Sequence, residues 1–119
     1  MSLVGLVTGQ IFLEGWQGEL GPATVYVRLL DTSRANSPAL TVSTLILKEV
    51  ALDVMERDGI NFAMEIAEID PHAHYTVSAL VDLNGDGQSS RGDYLSMQAY
   101  PVLTYGHENQ VEVHAKRIP

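Results

Sequence analysis

Apolar and polar residues alternate with period two in short runs along most of this chain, and turn residues separate the runs. That period puts successive side chains on opposite faces of an extended strand. Leu6 to Leu13 is a first apolar run, closed by Glu14-Gly15-Trp16-Gln17-Gly18. Gly21-Pro22 opens a second, with Val25, Val27 and Leu29 on one face and Thr24, Tyr26 and Arg28 on the other. Asp31 to Pro38 is a loop by composition. Leu40 to Val50 is a third strand rich in Thr, Val and Ile, and Ile60, Phe62, Met64 and Ile66 mark a fourth that Asp70-Pro71 breaks. Tyr75, Val77, Ala79 and Val81 share a face of a fifth. Leu95 to Leu103 is a sixth, in which Pro101 marks a bulge or an edge. Val111, Val113 and Ala115 mark a seventh. The helical candidate is Val50 to Arg57, followed by the turn signal Asp58-Gly59.

Short strands with turns between them predict an all-β fold, a seven-stranded antiparallel β-sandwich. At 119 residues and 45% apolar content, the chain is expected to form a single domain over 1–119 with its own core. No apolar run approaches the length of a membrane-spanning helix. The opening Met1-Ser2-Leu3-Val4-Gly5 shows no signal peptide. Met1 to Leu3 is compatible with a cloning scar, in which case a leader has been cut away. Without cysteine there is no disulfide framework, thiolate nucleophile or cysteine zinc site. Fifteen acids against seven scattered bases, a net charge of −8, argue against nucleic acid as a partner.

One loop carries the clearest chemistry: Asp82-Leu83-Asn84-Gly85-Asp86-Gly87-Gln88-Ser89-Ser90-Arg91-Gly92-Asp93. Oxygen-bearing side chains stand at its first, third and fifth positions, glycine at the sixth and a carboxylate at the twelfth. This is the spacing of an EF-hand-type calcium loop, because a hard cation needs several oxygens and alternate residues of a curled loop point inward. The expected ligands are the side chains of Asp82, Asn84 and Asp86, the carbonyl of Gln88 and the closing carboxylate of Asp93, with Ser90 acting through water. The flanks are β-like and not helical, so the reading is strand, calcium loop, strand, with no helix-opening switch. Calcium is expected to be structural, with a dissociation constant on the order of 10⁻⁵ to 10⁻³ M. The rival reading is a metal-free Asn-Gly-Asp-Gly hairpin turn. Arg91-Gly92-Asp93 also spells an adhesion tripeptide, which ligation through Asp93 would hide.

Other groups are weaker candidates. His72 and His74 flank Ala73, a chelating or acid–base spacing if they lie in a strand, though they read better as solvated turn residues. His107 falls in a turn and His114 alternates with core positions, facing solvent. The acids Asp53, Glu56 and Asp58, and again Glu65, Glu68 and Asp70, read as solvated faces, although paired carboxylates can cleave glycosides. Trp16 and Tyr26 are candidates for a sugar platform, or Trp16 for a cap on the open end of the core. No nucleophile elbow or phosphate loop is present.

Several segments, in order, resemble small bacterial lipoproteins of the YbaY type, related to the YscW pilotin of type III secretion. They are Val7-Thr8-Gly9-Gln10-Ile11, then Ala23 to Asp31 followed by a Ser/Ala-rich loop, Phe62 in an alternating strand, Ile69-Asp70-Pro71-His72-Ala73-His74-Tyr75, and Tyr100-Pro101-Val102-Leu103-Thr104 before a glycine turn. The resemblance runs from Val7 to about Ile118. It implies a transthyretin-like (prealbumin-like) sandwich, an export leader with a lipidated cysteine, and a binding or chaperone-like role. This chain departs from it in having no lipobox cysteine and in carrying the calcium loop where those proteins use a short hairpin. The loop itself resembles the Asp-x-Asn-x-Asp-Gly sites of prealbumin-like repeats in bacterial surface adhesins. Hydroxyisourate hydrolases share the transthyretin-like fold but end in Tyr-Arg-Gly-Ser, which the present His114-Ala115-Lys116-Arg117-Ile118-Pro119 lacks.

These readings converge on a non-enzymatic, calcium-stabilised β-sandwich with a protein partner in the cell envelope or outside the cell. A carbohydrate-binding module with calcium-ordered loops is the alternative, and a transthyretin-like hydrolase comes third.

Overall fold

The computed structural model describes residues 3–34 and 37–119. The start of the expected scar, Met1-Ser2, and residues 35 and 36 of the expected loop lie outside the described residues. Among the described residues eight strands form: β1 (Leu3–Glu14), β2 (Ala23–Asp31), β3 (Leu40–Val50), β4 (Ile60–Ile69), β5 (Tyr75–Asp82), β6 (Tyr94–Ser96), β7 (Pro101–Val102) and β8 (Gln110–Arg117). One helix, α1 (Leu52–Arg57), lies between β3 and β4 in the chain.

The alternation seen in sequence becomes burial. Ala23, Val25, Val27 and Leu29 of β2, Phe62, Met64 and Ile66 of β4, and Val113 and Ala115 of β8 point into one core. Val7, Ile11 and Leu13 of β1 and Val77, Ala79 and Val81 of β5 complete it. Fully burying such a side chain stabilises the fold by about 1.5–3 kcal/mol. This core decides which face of each strand turns inward, since a slip of one residue would reverse the whole set.

Two features depart from the expected seven-stranded antiparallel sandwich. The strands form one hydrogen-bonded sheet, in the order β3-β2-β5-β6-β8-β1-β4 with β7 on β5, curled into a nearly closed barrel. And β1 pairs parallel with β8, from Thr8 opposite Gln110 to Glu14 opposite Lys116, while pairing antiparallel with β4. Short-range alternation carries no information about which distant strand becomes a neighbour, so neither feature was accessible to it.

The expected sixth strand also divides in two, and its side chains supply what the missing backbone ladder does not. Tyr100 is buried, and its hydroxyl accepts the His114 amide at 2.9 Å. The Ser96 hydroxyl accepts the Ala79 amide at 2.9 Å. Both bonds satisfy strand N–H groups that would otherwise be buried without a partner.

The two edges of the sheet are β3 and β4, and α1 joins them. The helix packs on β1 and turns Leu52 and Met55 into the core. Gly59, at φ +73°, ends it. A Cβ there would lie 2.8 Å from Cζ of Phe12, so both the backbone conformation and the space require glycine.

Candidate metal centre

The loop from Asp82 to Asp93 joins the end of β5 to the start of β6. Asp82 is the last residue of β5, opposite Thr24 of β2, and is only 1% exposed. Asp93 precedes β6 and is 2% exposed. Its position is fixed from the far end of the chain: Ile118 donates its amide to the Asp93 carbonyl at 2.8 Å, and Gly92 donates its own to the Ile118 carbonyl at 2.9 Å.

A buried carboxylate requires donors, and here the loop backbone provides them. Asp82 accepts the amides of Gly85 at 3.0 Å and Gly87 at 2.8 Å. Asp93 accepts the Leu83 amide at 2.9 Å on one oxygen, and the Ser90 amide at 3.1 Å and hydroxyl at 2.9 Å on the other. Asn84 Oδ1 accepts the Asp86 amide at 3.2 Å, and Asp86 accepts the Gln88 amide at 3.0 Å. The loop is thus wound around its own acidic side chains. Gly85, Gly87 and Gly92 take positive φ, which permits the winding.

The winding brings carboxylate oxygens of Asp82, Asp86 and Asp93 within 4.8 Å of one another. Oxygens facing each other across a calcium ion, each 2.3–2.6 Å from it, stand about 4.6–5.2 Å apart. An ionised carboxylate offers about four acceptor positions. The bonds above leave some of these on both buried aspartates for a cation. Donor type and spacing therefore fit a hard divalent ion. Asn84 lies in the same winding, its Nδ2 donating to the Ser90 hydroxyl at 3.1 Å. Gln88 is exposed and is tied in through its amide. Ser90, expected to act through water, donates its hydroxyl to Asp93. Arg91 is exposed, and the burial of Asp93 rules out free presentation of the Arg-Gly-Asp tripeptide.

The other candidate groups are dispersed. His72 and His74 are exposed and lie outside any strand; His74 stacks on Tyr105 with ring centroids 4.2 Å apart. His107 is exposed in its turn. His114 lies on the outer face of β8, opposite the inward Val113 and Ala115 as expected, but is half-buried there, stacked on Phe12 with Nδ1 3.1 Å from Glu14 Oε1. That contact lacks hydrogen-bond geometry, and Nδ1 is left without a hydrogen-bond partner. Asp53, Glu56, Asp58, Glu65, Glu68 and Asp70 are all exposed.

One connection was invisible in the sequence. The Tyr94 hydroxyl, fully buried, donates to Glu19 Oε2 in the turn after β1. Burial, then the hydrogen bond and charge of Glu19, push the phenol up to about 12. The same turn is tied at Trp16, whose indole N–H donates to the Glu19 carbonyl at 3.3 Å, and at Gln17, whose Oε1 accepts from Arg117. No local pattern links a glutamate in a glycine-rich turn to a tyrosine so far along the chain.

The architecture is that of a small all-β domain, and comparison with known proteins gives it a family. The family model described as type III secretion system lipoprotein chaperone (YscW) matches residues 5–114, so the chain belongs to that family. Among solved structures, an alternative pilotin from the type II secretion system of Vibrio cholerae superposes with a TM-score of 0.76 over 98% of this chain and 99% of that one, at 20% identity. At that identity the likeness is one of fold. No curated protein matches the chain. Among the described residues, no helix is long and apolar enough to cross a membrane.

Proposed function

We propose that this protein is a non-enzymatic, pilotin-like chaperone of the bacterial cell envelope, which binds a protein component of a secretion machinery. The observation that carries this reading is the family match over residues 5–114, supported by a fold shared from end to end with a pilotin.

Within the same reading, a calcium ion held by Asp82, Asn84, Asp86, Gln88 and Asp93 stiffens the loop between β5 and β6. The support is the motif spacing together with the three clustered carboxylates. The role assigned to the ion is structural: it offsets the mutual repulsion of the aspartates and fixes the start of β6.

Deleting the gene in its native host tests the chaperone reading. The expected outcome is mislocalised or unassembled outer-membrane secretion machinery and loss of secreted substrate, restored by the wild-type gene. Normal assembly and secretion in the deletion strain would overturn it.

A further inference from the structure

We infer that the groove between the turn after β1 and the β3–α1 junction docks a partner segment that combines large apolar side chains with lysine or arginine. The inference rests on the reading that this chain binds a protein, and it adds where and by what chemistry.

The groove encloses about 450 Å³. Its apolar wall is made by Trp16, Leu20, Pro22 and Leu52. Trp16 has its one polar atom satisfied by the Glu19 carbonyl, so its ring offers apolar surface only. Leu52 belongs to the buried core, which makes the floor continuous with the interior. Leu20 is the opposite case, 94% exposed at the mouth of the groove. Leu20 thereby extends the apolar wall outward, where a large side chain entering the groove would meet it.

The rim gives the sign of that molecule's charge. Glu49 and Asp53 line one side and Glu19 the other, and no lysine or arginine is among the lining residues. The nearest cation tied to this turn, Arg117, is engaged with Gln17 Oε1. Glu49 takes φ 55° where β3 shifts register against β2, the local irregularity that sets its place on the rim. With a net charge of −8 on the chain, a second copy would bring acid against acid here, whereas a basic apolar segment matches both wall and rim.

The sequence contains a single tryptophan, in the groove wall, so its fluorescence reports occupancy directly. Three synthetic peptides of equal length are titrated into the full chain: alternating Leu/Lys, alternating Leu/Glu and alternating Ser/Lys. Only Leu/Lys is expected to shift Trp16 emission saturably. Its dissociation constant is expected to rise about tenfold in Leu20→Ser and in Glu49→Gln, a loss of about 1.4 kcal/mol. Leu20 is exposed, so Leu20→Ser is expected to melt with the wild type, which separates lost binding from lost folding. No response to Leu/Lys, an equal response to Ser/Lys, or unchanged affinity in Leu20→Ser would each overturn the inference. So would sedimentation showing a dimer that Leu20→Ser dissolves. In the native host, normal secretion with the Leu20→Ser allele where the deletion abolishes it would sink the groove and leave the chaperone reading standing.

Discussion

Tyr94 and Glu19 are joined by a partly buried hydrogen bond that ties the start of β6, next to the last aspartate of the acidic loop, to the turn that walls the apolar groove. The phenol lies at about 12 in the folded protein against 10.0 for a free tyrosine. A raised value means that the folded state holds its proton more tightly than the unfolded one. The resulting stabilisation is complete below about pH 10 and is lost as the pH climbs towards 12. The melting temperature is therefore expected to fall across that window, and Tyr94→Phe to fall less steeply over it. At neutral pH the same variant should lose about 1.5–3 kcal/mol, the worth of a hydrogen bond to a charged acceptor. Parallel pH-melting curves for the two proteins check both statements; identical slopes would refute the first.

The acidic loop makes two separable demands on its aspartates. Asp82 satisfies two loop amides, so Asp82→Ala is expected to lower stability by about 1–3 kcal/mol even in chelator. Asp86 is exposed, so Asp86→Ala should change stability in chelator by less than about 0.5 kcal/mol. Added calcium at about 100 times its dissociation constant should stabilise the wild type by about 2.7 kcal/mol and leave both variants where they were. Calorimetry of EDTA-stripped protein should show one site. Absence of heat, with no rise in melting temperature, would remove calcium from the account.

Gly9 is where β1 is squeezed from both sides. A Cβ at this position would stand 2.1 Å from the Val111 carbonyl oxygen in β8 and 2.9 Å from Cε1 of Phe62 in β4. The first of these is backbone and cannot swing away. Gly9→Ala is expected to destabilise the protein by about 1–3 kcal/mol or more, read as a lowered urea midpoint. A midpoint equal to wild type would show that β1 can shift without loss.

Met55 has no exposed surface and sits on α1, the short helix that packs on β1. Met55→Ala should cost about 2–5 kcal/mol in equilibrium unfolding. A cost under about 1 kcal/mol would mean that the helix packs over the core without helping to hold it.

Much of this was legible along the chain where the information is local. The alternation of Val25, Val27 and Leu29, or of Phe62, Met64 and Ile66, gives the inward face of each strand directly, and the expected helix overlaps α1. The positions of Asp82, Asp86 and Asp93 could be read as one cluster because a short loop brings them together by its own winding. What stayed hidden depends on distant pairings. The parallel match of β1 with β8, the division of the sixth strand around Met97 to Tyr100, and the bond between Tyr94 and Glu19 all arise from contacts between remote segments. The groove was hidden for the same reason, since Trp16 and Leu20 meet Glu49 and Leu52 only after the sheet has curled.

The pairing of β1 with both β4 and β8 sets the order in which this protein can assemble. Ile11 is covered on one flank by Ile60 but on the other only by Val113, more than a hundred residues further along the chain. Pairings of such separation close slowly, because the loop entropy comes first and the contacts reward it later. Until β8 arrives, β1 keeps an open hydrogen-bonding edge and the barrel has a missing stave. A growing chain is thus kept from finishing this barrel until β8 has emerged, and it holds β1 half-paired until then.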